Sequence, residues 1–202
     1  MNRALLVVVA FTLGAVDKAC ADSIASRDDL ENILGGPGTI EDFSAYSIAD
    51  GTADATGVSE LNADTIVNGQ GPGLVQPDLD FTFASGLLQW DGAGYFGSPS
   101  KEILSGAPPG QPLTITFTSG TVTAFGVDLR AFSGFGATAD MKVFALDGTT
   151  LIGELSGITL PDTGVPVFAG WYDPDGIGVV QLTQTAQPWS PIITNLEYGT
   201  AP

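Results

Sequence analysis

Two pairs of aspartates have the spacing found in calcium-binding loops. Asp173 and Asp175 lie two residues apart just before Gly176, and Asp78 and Asp80 have the same separation. Ca²⁺ prefers carboxylate and carbonyl oxygens in loops of this kind. The alternative for the first pair is a plain β-turn that the glycine closes, and alternate residues of a strand do not by themselves enclose an ion. We favour the turn for the first pair and keep calcium as the candidate cofactor, with these four aspartates as its candidate ligands.

A second group of residues could bind a sugar. Trp90 and Asp91 are followed closely by Tyr95 and Phe96, and Trp189 lies in a second stretch rich in proline. Flat rings stack on the faces of sugars, while carboxylates accept hydrogen bonds from their hydroxyls. Aromatic residues at strand ends also close the core of a β-sandwich, which is the structural alternative. Core packing is the stronger interpretation of these aromatics, and the five residues are the candidate ligand-binding site for polysaccharide.

The residue types limit the catalytic chemistry. The chain has no histidine and a single cysteine, which excludes a Ser-His-Asp triad, a Cys-His pair and a histidine-ligated zinc. A glycosidase needs two carboxylates roughly 5–9 Å apart, and among 23 acidic residues some pair meets that distance by chance. We therefore assign no catalytic residue and favour a non-catalytic protein. Arg130, which closely follows Asp128, is expected to pair with a neighbouring acid at the surface.

The first residues predict export. Arg3 precedes an apolar run from Ala4 to Val16, which is shorter than the roughly 20 residues of a membrane-spanning helix. Ala19-Cys20-Ala21 matches a signal-peptidase site. We predict a signal peptide over residues 1–21, a secreted or periplasmic location, and a mature chain without cysteine or a membrane span.

The charge of the chain restricts its partners. Six basic residues stand against 23 acidic ones, a formal net charge of −17. Such a charge repels nucleic acid and anionic lipid, so we predict neither as a partner. It is compatible with a soluble surface or with divalent cations, and it leaves the oligomeric state open.

Local patterns predict one helix followed by short strands. Ser26 and Asp29 form a capping box that opens a helix over residues 26–34. Pro112–Ser119 alternates apolar residues with threonine, as a half-buried strand does. Turn residues predict two hairpins, one joining 112–119 to 122–129 and the other joining 141–146 to 151–155. Residues 91–111 are expected to be a loop.

About ten strands with frequent turns and no crossover helices indicate the fold class. We predict an all-β, two-sheet antiparallel β-sandwich, jelly-roll-like, with one short N-terminal helix. The chain would divide into the signal peptide (1–21), a short helix with a Gly-rich linker (22–38) and the β-sandwich domain (39–202).

An ordered series of segments resembles the β-sandwich domains of bacterial exported proteins that carry the PEP-CTERM (exosortase) sorting signal. The resemblance implies a jelly-roll domain outside the inner membrane, in a group linked to exopolysaccharide or biofilm matrix. The family's C-terminal sorting tail does not occur in this sequence, so we expect free secretion or a truncated chain. The last strand carries Thr194-Asn195 where the family often has Asp-Asn. The resembling segments are Thr39–Ser44, Val122–Leu129, Val143–Leu155, Phe168–Thr183 and Ile193–Gly199.

These observations lead to one functional hypothesis with two alternatives. The favoured one is a secreted, non-catalytic β-sandwich module that binds or organises extracellular polysaccharide, with calcium as its candidate cofactor. The alternatives are a carbohydrate-active enzyme that uses paired carboxylates and a purely structural matrix protein. Glycan binding without release of reducing sugar would distinguish the first from the others.

Overall fold

The computed structural model describes residues 20–84, 86–95, 97–105, 110–131, 137–161, 165–184 and 191–202. Within these ranges the chain forms fourteen strands and one helix, which confirms the predicted all-β class with a short N-terminal helix. In chain order the elements are β1 (Asp22–Ile24), α1 (Arg27–Leu34), β2 (Thr39–Glu41), β3 (Ala53–Ala55), β4 (Glu60–Asn62), β5 (Leu79–Phe83), β6 (Leu88–Asp91), β7 (Glu102–Ser105), β8 (Leu113–Phe117), β9 (Ala124–Arg130), β10 (Ala137–Ala145), β11 (Leu151–Leu160), β12 (Val167–Tyr172), β13 (Ile177–Gln184) and β14 (Ile192–Gly199).

Two antiparallel sheets form the sandwich, as predicted. The eight-stranded sheet has the order β1-β12-β9-β14-β7-β6-β3, with β2 also paired to β14, and the six-stranded sheet has the order β11-β10-β13-β8-β5-β4. In β8 the apolar residues Leu113, Ile115 and Phe117 are buried, while the threonines between them are half-buried. This alternation places one face of each strand in the shared core.

The hairpin predicted around Asp147 is confirmed. β10 and β11 pair in antiparallel register on either side of it. The carboxylate Oδ1 of Asp147 accepts the main-chain N–H groups of Thr149 and Thr150 at 2.8 and 2.7 Å. Hydrogen bonds from Thr150 lower the pKa of Asp147 to about 2. Inside the turn, the Asp147 side chain thus accepts main-chain hydrogen bonds that a partner strand accepts elsewhere in the hairpin.

The other predicted hairpin is wrong. β8 lies in the six-stranded sheet between β13 and β5, whereas β9 lies in the eight-stranded sheet between β12 and β14. Six of the seven residues of β9 are buried, because both of its faces are covered, and such a strand belongs in the middle of a sheet. Residues 91–111 also contain a strand, β7, which pairs with β6.

The N-terminal segment contacts the eight-stranded sheet. β1 pairs with β12, and Ser26 caps α1 by accepting the N–H of Asp29 at 3.2 Å. Arg27 on α1 reaches Asp128 at 2.9 Å and also pairs with Glu197. These bonds hold the helix on the outer face of the eight-stranded sheet. No helix in the described ranges is long and apolar enough to cross a membrane.

Candidate functional site

Of the predicted aromatic site, the structure describes Trp90, Asp91 and Tyr95, and it places Trp90 in the core. Trp90 is 0% exposed and stacks on Tyr46 with ring centroids 4.6 Å apart, with Phe43 edge-on at 6.1 Å. Its ring is therefore a core element, as the structural alternative held, and the predicted stacking role for Trp90 is corrected. Tyr95 is 40% exposed on the loop between β6 and β7. Phe96 and Trp189 lie outside the described residues.

Asp91 belongs to a buried ionic cluster. It stands directly opposite Glu102 in the β6–β7 pair, and Oε1 of Glu102 lies 3.1 Å from Nη1 of Arg130 on β9. All three side chains are at most 1% exposed. The expectation that Arg130 pairs with an acid at the surface is therefore wrong. Its partner is Glu102 on β7, and both side chains are buried.

This cluster has two carboxylates and one guanidinium. Burial raises the pKa of Asp91 to about 7, and Gln89 donates to its Oδ1 at 2.7 Å. Burial also raises the pKa of Glu102, although the Ser98 hydroxyl and Arg130 oppose the rise. Asp91 is consequently neutral below pH 7, so the two carboxylates need not carry two negative charges against the single positive charge of Arg130. Since neither carboxylate reaches solvent, a glycoside cannot contact them, and the pair does not have the accessible geometry of a glycosidase.

Two of the four predicted calcium ligands, Asp173 and Asp78, accept structural hydrogen bonds, whereas Oδ1 of Asp80 is buried without a partner. Oδ1 of Asp173 accepts the N–H of Asp175 at 2.8 Å in the turn between β12 and β13, and Tyr198 donates its hydroxyl to Asp78. Asp80 is half-buried on β5, which raises its pKa. In the part of the chain that the structure describes, no group of three or more metal-ligating side chains could hold an ion. Calcium therefore stays a prediction, without an assembled site in those ranges.

A groove lies at the end of β2, where the chain turns sharply. Phe43 adopts a φ of 56°, which an aromatic residue rarely does, and its buried ring packs edge-on against Phe81 at 5.6 Å. Oε1 of Glu41 accepts the N–H of Phe43 at 2.6 Å, and Oε2 accepts the N–H of Gln76 at 2.8 Å. The Glu41 carboxylate thus ties the turn to residues 73–77, and the groove lies between them.

We call this feature the β2 groove. Its volume is about 240 Å³, and its polar side chains are Glu41, Asp42, Ser44 and Gln76. Hydrogen bonds from Ser44 and the nearby Lys101 lower the pKa of Asp42, so this exposed carboxylate stays ionised. Burial raises the pKa of Glu41, and the charge of Asp42 raises it further. The groove therefore presents an ionised carboxylate beside a second, buried one.

A second groove of about 290 Å³ flanks the other end of β2. It is lined by Leu34, Gly38, Thr39 and Thr200, among others. Glu197 positions this end, because its Oε1 accepts the N–H of Gly38 at 2.8 Å while it also pairs with Arg27. The N-terminal helix and β14 therefore fix the position where β2 begins, and this in turn fixes the positions of both grooves.

Sequence reasoning missed the β2 groove and the buried cluster. β2 ends at Glu41, and the adjacent acids Glu41 and Asp42 line the groove. Two adjacent acids at the end of a very short strand were the available signal. The opposite wall, at residues 73–77, is more than 30 residues away in the chain, and no local pattern indicates that contact.

No family model matches this chain, and no curated protein matches it. The functional assignment therefore depends on the fold and on the geometry of the grooves.

Proposed function

We propose that this chain is a secreted, non-catalytic β-sandwich module that binds or organises extracellular polysaccharide, with the β2 groove as its binding site. The observation that carries this proposal is the lining of the groove, where Asp42, Ser44 and Gln76 supply hydrogen-bonding groups held in place by structural bonds. Pre-organised polar groups of this kind suit the hydroxyls of a sugar, because little ordering is needed on binding.

The two grooves are small and open. Their volumes of about 240 and 290 Å³ lie at or below the lower end of ligand pockets, which run from roughly 300 to 1,000 Å³. Both are open to solvent, so a chain bound in one groove can continue beyond it. Ile40, which is 45% exposed, lies on β2 between them and offers an apolar contact.

The chemistry of the described residues supports binding without catalysis. The opposed carboxylates Asp91 and Glu102 are buried, and the chain contains no histidine that could serve as a general base. Export of the chain is supported by its N-terminal pattern and by its resemblance to exported β-sandwich proteins.

A glycan array probed with residues 22–202, followed by a reducing-sugar assay on each glycan bound, tests this proposal. Ala45 is exposed and lines the β2 groove, so Ala45→Trp fills the groove without changing any charge. Ala55 on β3 is also exposed but lies outside the groove, and Ala55→Trp is the matched control.

We expect the unmodified chain to bind glycan without releasing reducing ends. Glycan binding should be lost in Ala45→Trp and retained in Ala55→Trp. Release of reducing ends would instead favour a carbohydrate-active enzyme. Binding to no glycan would favour a purely structural matrix protein, and either result would overturn the proposal.

A further inference from the structure

We propose that the β2 groove selects an amino sugar with a free ammonium group, so that the polysaccharide it recognises is cationic. This inference rests on the proposed function and names the chemical class of its ligand. It follows from the hydrogen-bonding inventory of the groove, from the buried carboxylate behind it and from the placement of the cationic side chains.

Several of the donors that line the groove donate to the protein itself. The main-chain N–H of Gln76 donates to Glu41, and its side-chain Nε2 donates to the carbonyl of Ile40 at 3.3 Å. The N–H of Ser44 donates to Oδ1 of Asp42 at 2.9 Å, and the Ser44 hydroxyl also bonds that carboxylate. These side chains therefore present two acceptors to a ligand, the Asp42 carboxylate and Oε1 of Gln76, beside one remaining N–H of the Gln76 amide.

An acceptor-rich groove requires a donor-rich ligand. An ammonium group supplies three donors and no acceptor, and its hydrogen bonds to a carboxylate are charge-assisted. An acetylated amine supplies one N–H, carries no charge and adds a carbonyl, for which these side chains offer only the second N–H of the Gln76 amide. A uronate or sulfate group would meet the charge of Asp42, which the pKa-lowering bonds from Ser44 keep ionised.

Glu41 is the second observation that indicates a cation. This carboxylate is only 4% exposed and lines the groove. It also lies next to the negative charge of Asp42. Each of its oxygens accepts one main-chain N–H, whereas a carboxylate has about four lone-pair sites. A cation in the groove would relieve the repulsion between the two carboxylates and use that remaining capacity.

None of the four cationic side chains in the described ranges lines the groove, although Lys101 lies near enough to Asp42 to help lower its pKa. Lys101 donates to the carbonyls of Ser44 and Tyr46. Arg130 is buried beside Glu102, and Lys142 stands across from Glu154 in the β10–β11 pair. Arg27, as described above, bridges two carboxylates. With a net charge of −17, the chain as a whole repels acidic polymers and attracts cationic ones.

Isothermal titration with three oligosaccharides of equal length tests the inference: a glucosamine oligomer, its N-acetylated counterpart and a galacturonic acid oligomer. The titrations are run at mildly acidic pH, where the amines are protonated, and at physiological ionic strength to screen long-range attraction. We expect the glucosamine oligomer to bind more tightly than the N-acetylated one and the acidic oligomer not to bind.

Two neutralising variants locate the effect. Asp42→Asn keeps an acceptor for the Ser44 N–H but removes the charge, and we expect it to weaken glucosamine binding about five- to tenfold. Asp50 is exposed outside the groove, so Asp50→Asn removes the same charge, and we expect a change of less than about twofold. Melting temperatures of both variants check that the fold is retained.

Each outcome has a distinct meaning. Equal affinity for the amino and N-acetylated oligomers, or binding of the acidic one, would overturn this inference and leave the proposed function standing. Binding of none of the three, together with an empty glycan array, would overturn both. Equal losses in Asp42→Asn and Asp50→Asn would show attraction by bulk charge and overturn the site. If Asp42→Asn does not fold, the comparison of the three sugars with the unmodified chain still decides.

Discussion

Replacing Asp91 by asparagine should change how the stability of the protein depends on pH. Asp91 is fully buried, opposite Glu102, and its pKa is raised to about 7 from an ordinary value of 3.8. Asparagine has nearly the same shape and can still accept the hydrogen bond from Gln89. The variant therefore mimics the protonated form of Asp91 at every pH.

The sign follows from the proton count in each state. Below pH 3.8, Asp91 is protonated in both the folded and the unfolded chain and contributes no pH dependence. Between that value and pH 7 the unfolded chain loses the proton while the folded one keeps it, so stability falls as pH rises. At about 1.4 kcal/mol per pH unit, the loss reaches about 4 kcal/mol above pH 7, taken as an upper value.

Urea unfolding followed by tryptophan fluorescence, from about pH 4 to about pH 8, measures this effect as a difference between chains. We expect Asp91→Asn to gain stability over the unmodified protein progressively across that range. Asp50→Asn, an exposed aspartate, is the control and should follow the unmodified curve closely. If the stability of Asp91→Asn and of the unmodified protein changes in parallel with pH, the raised pKa of Asp91 is refuted.

Three further substitutions test other parts of the structure. Arg130→Leu leaves Glu102 buried without its counter-charge, and we expect a loss of about 3–5 kcal/mol at neutral pH in urea unfolding, smaller at acidic pH where Glu102 is protonated. Gly126→Ala would place a Cβ atom 2.0 Å from the ring of Phe168, so we expect a loss of about 1–3 kcal/mol, measured as a lower melting temperature. Ser26→Ala removes the N-cap of α1 and should cost about 1 kcal/mol, checked by the same melting experiment. An unchanged melting temperature for either of the last two would contradict the packing or the cap described here.

Local sequence signals predicted the elements that depend on neighbouring residues. The cap at Ser26 and the turn at Asp147 each use side chains within three residues of the bond they make. Ser119-Gly120 also marks a real turn, but a turn does not determine which sheet the next strand joins. That choice depends on covering both faces of β9, a long-range property that local patterns do not carry.

The candidate sites were harder to predict, because burial and distant contacts decide them. Trp90 carries the same residue type whether it stacks on a sugar or on Tyr46, and only the folded packing distinguishes the two. The partner of Arg130 lies on β7, in a segment without alternating apolar residues. The β2 groove joins Glu41 to Gln76, 35 residues along the chain, through a main-chain bond that leaves no sequence pattern.

The central claim is that a polysaccharide binds at the β2 groove, and amide chemical shifts of the chain during titration with a glucosamine oligomer test it most directly. We predict shift changes concentrated at residues 39–45 and 73–77, which form the walls of the groove. Saturable changes centred instead on the β6–β7 loop around Tyr95, or no changes at all, would contradict the account.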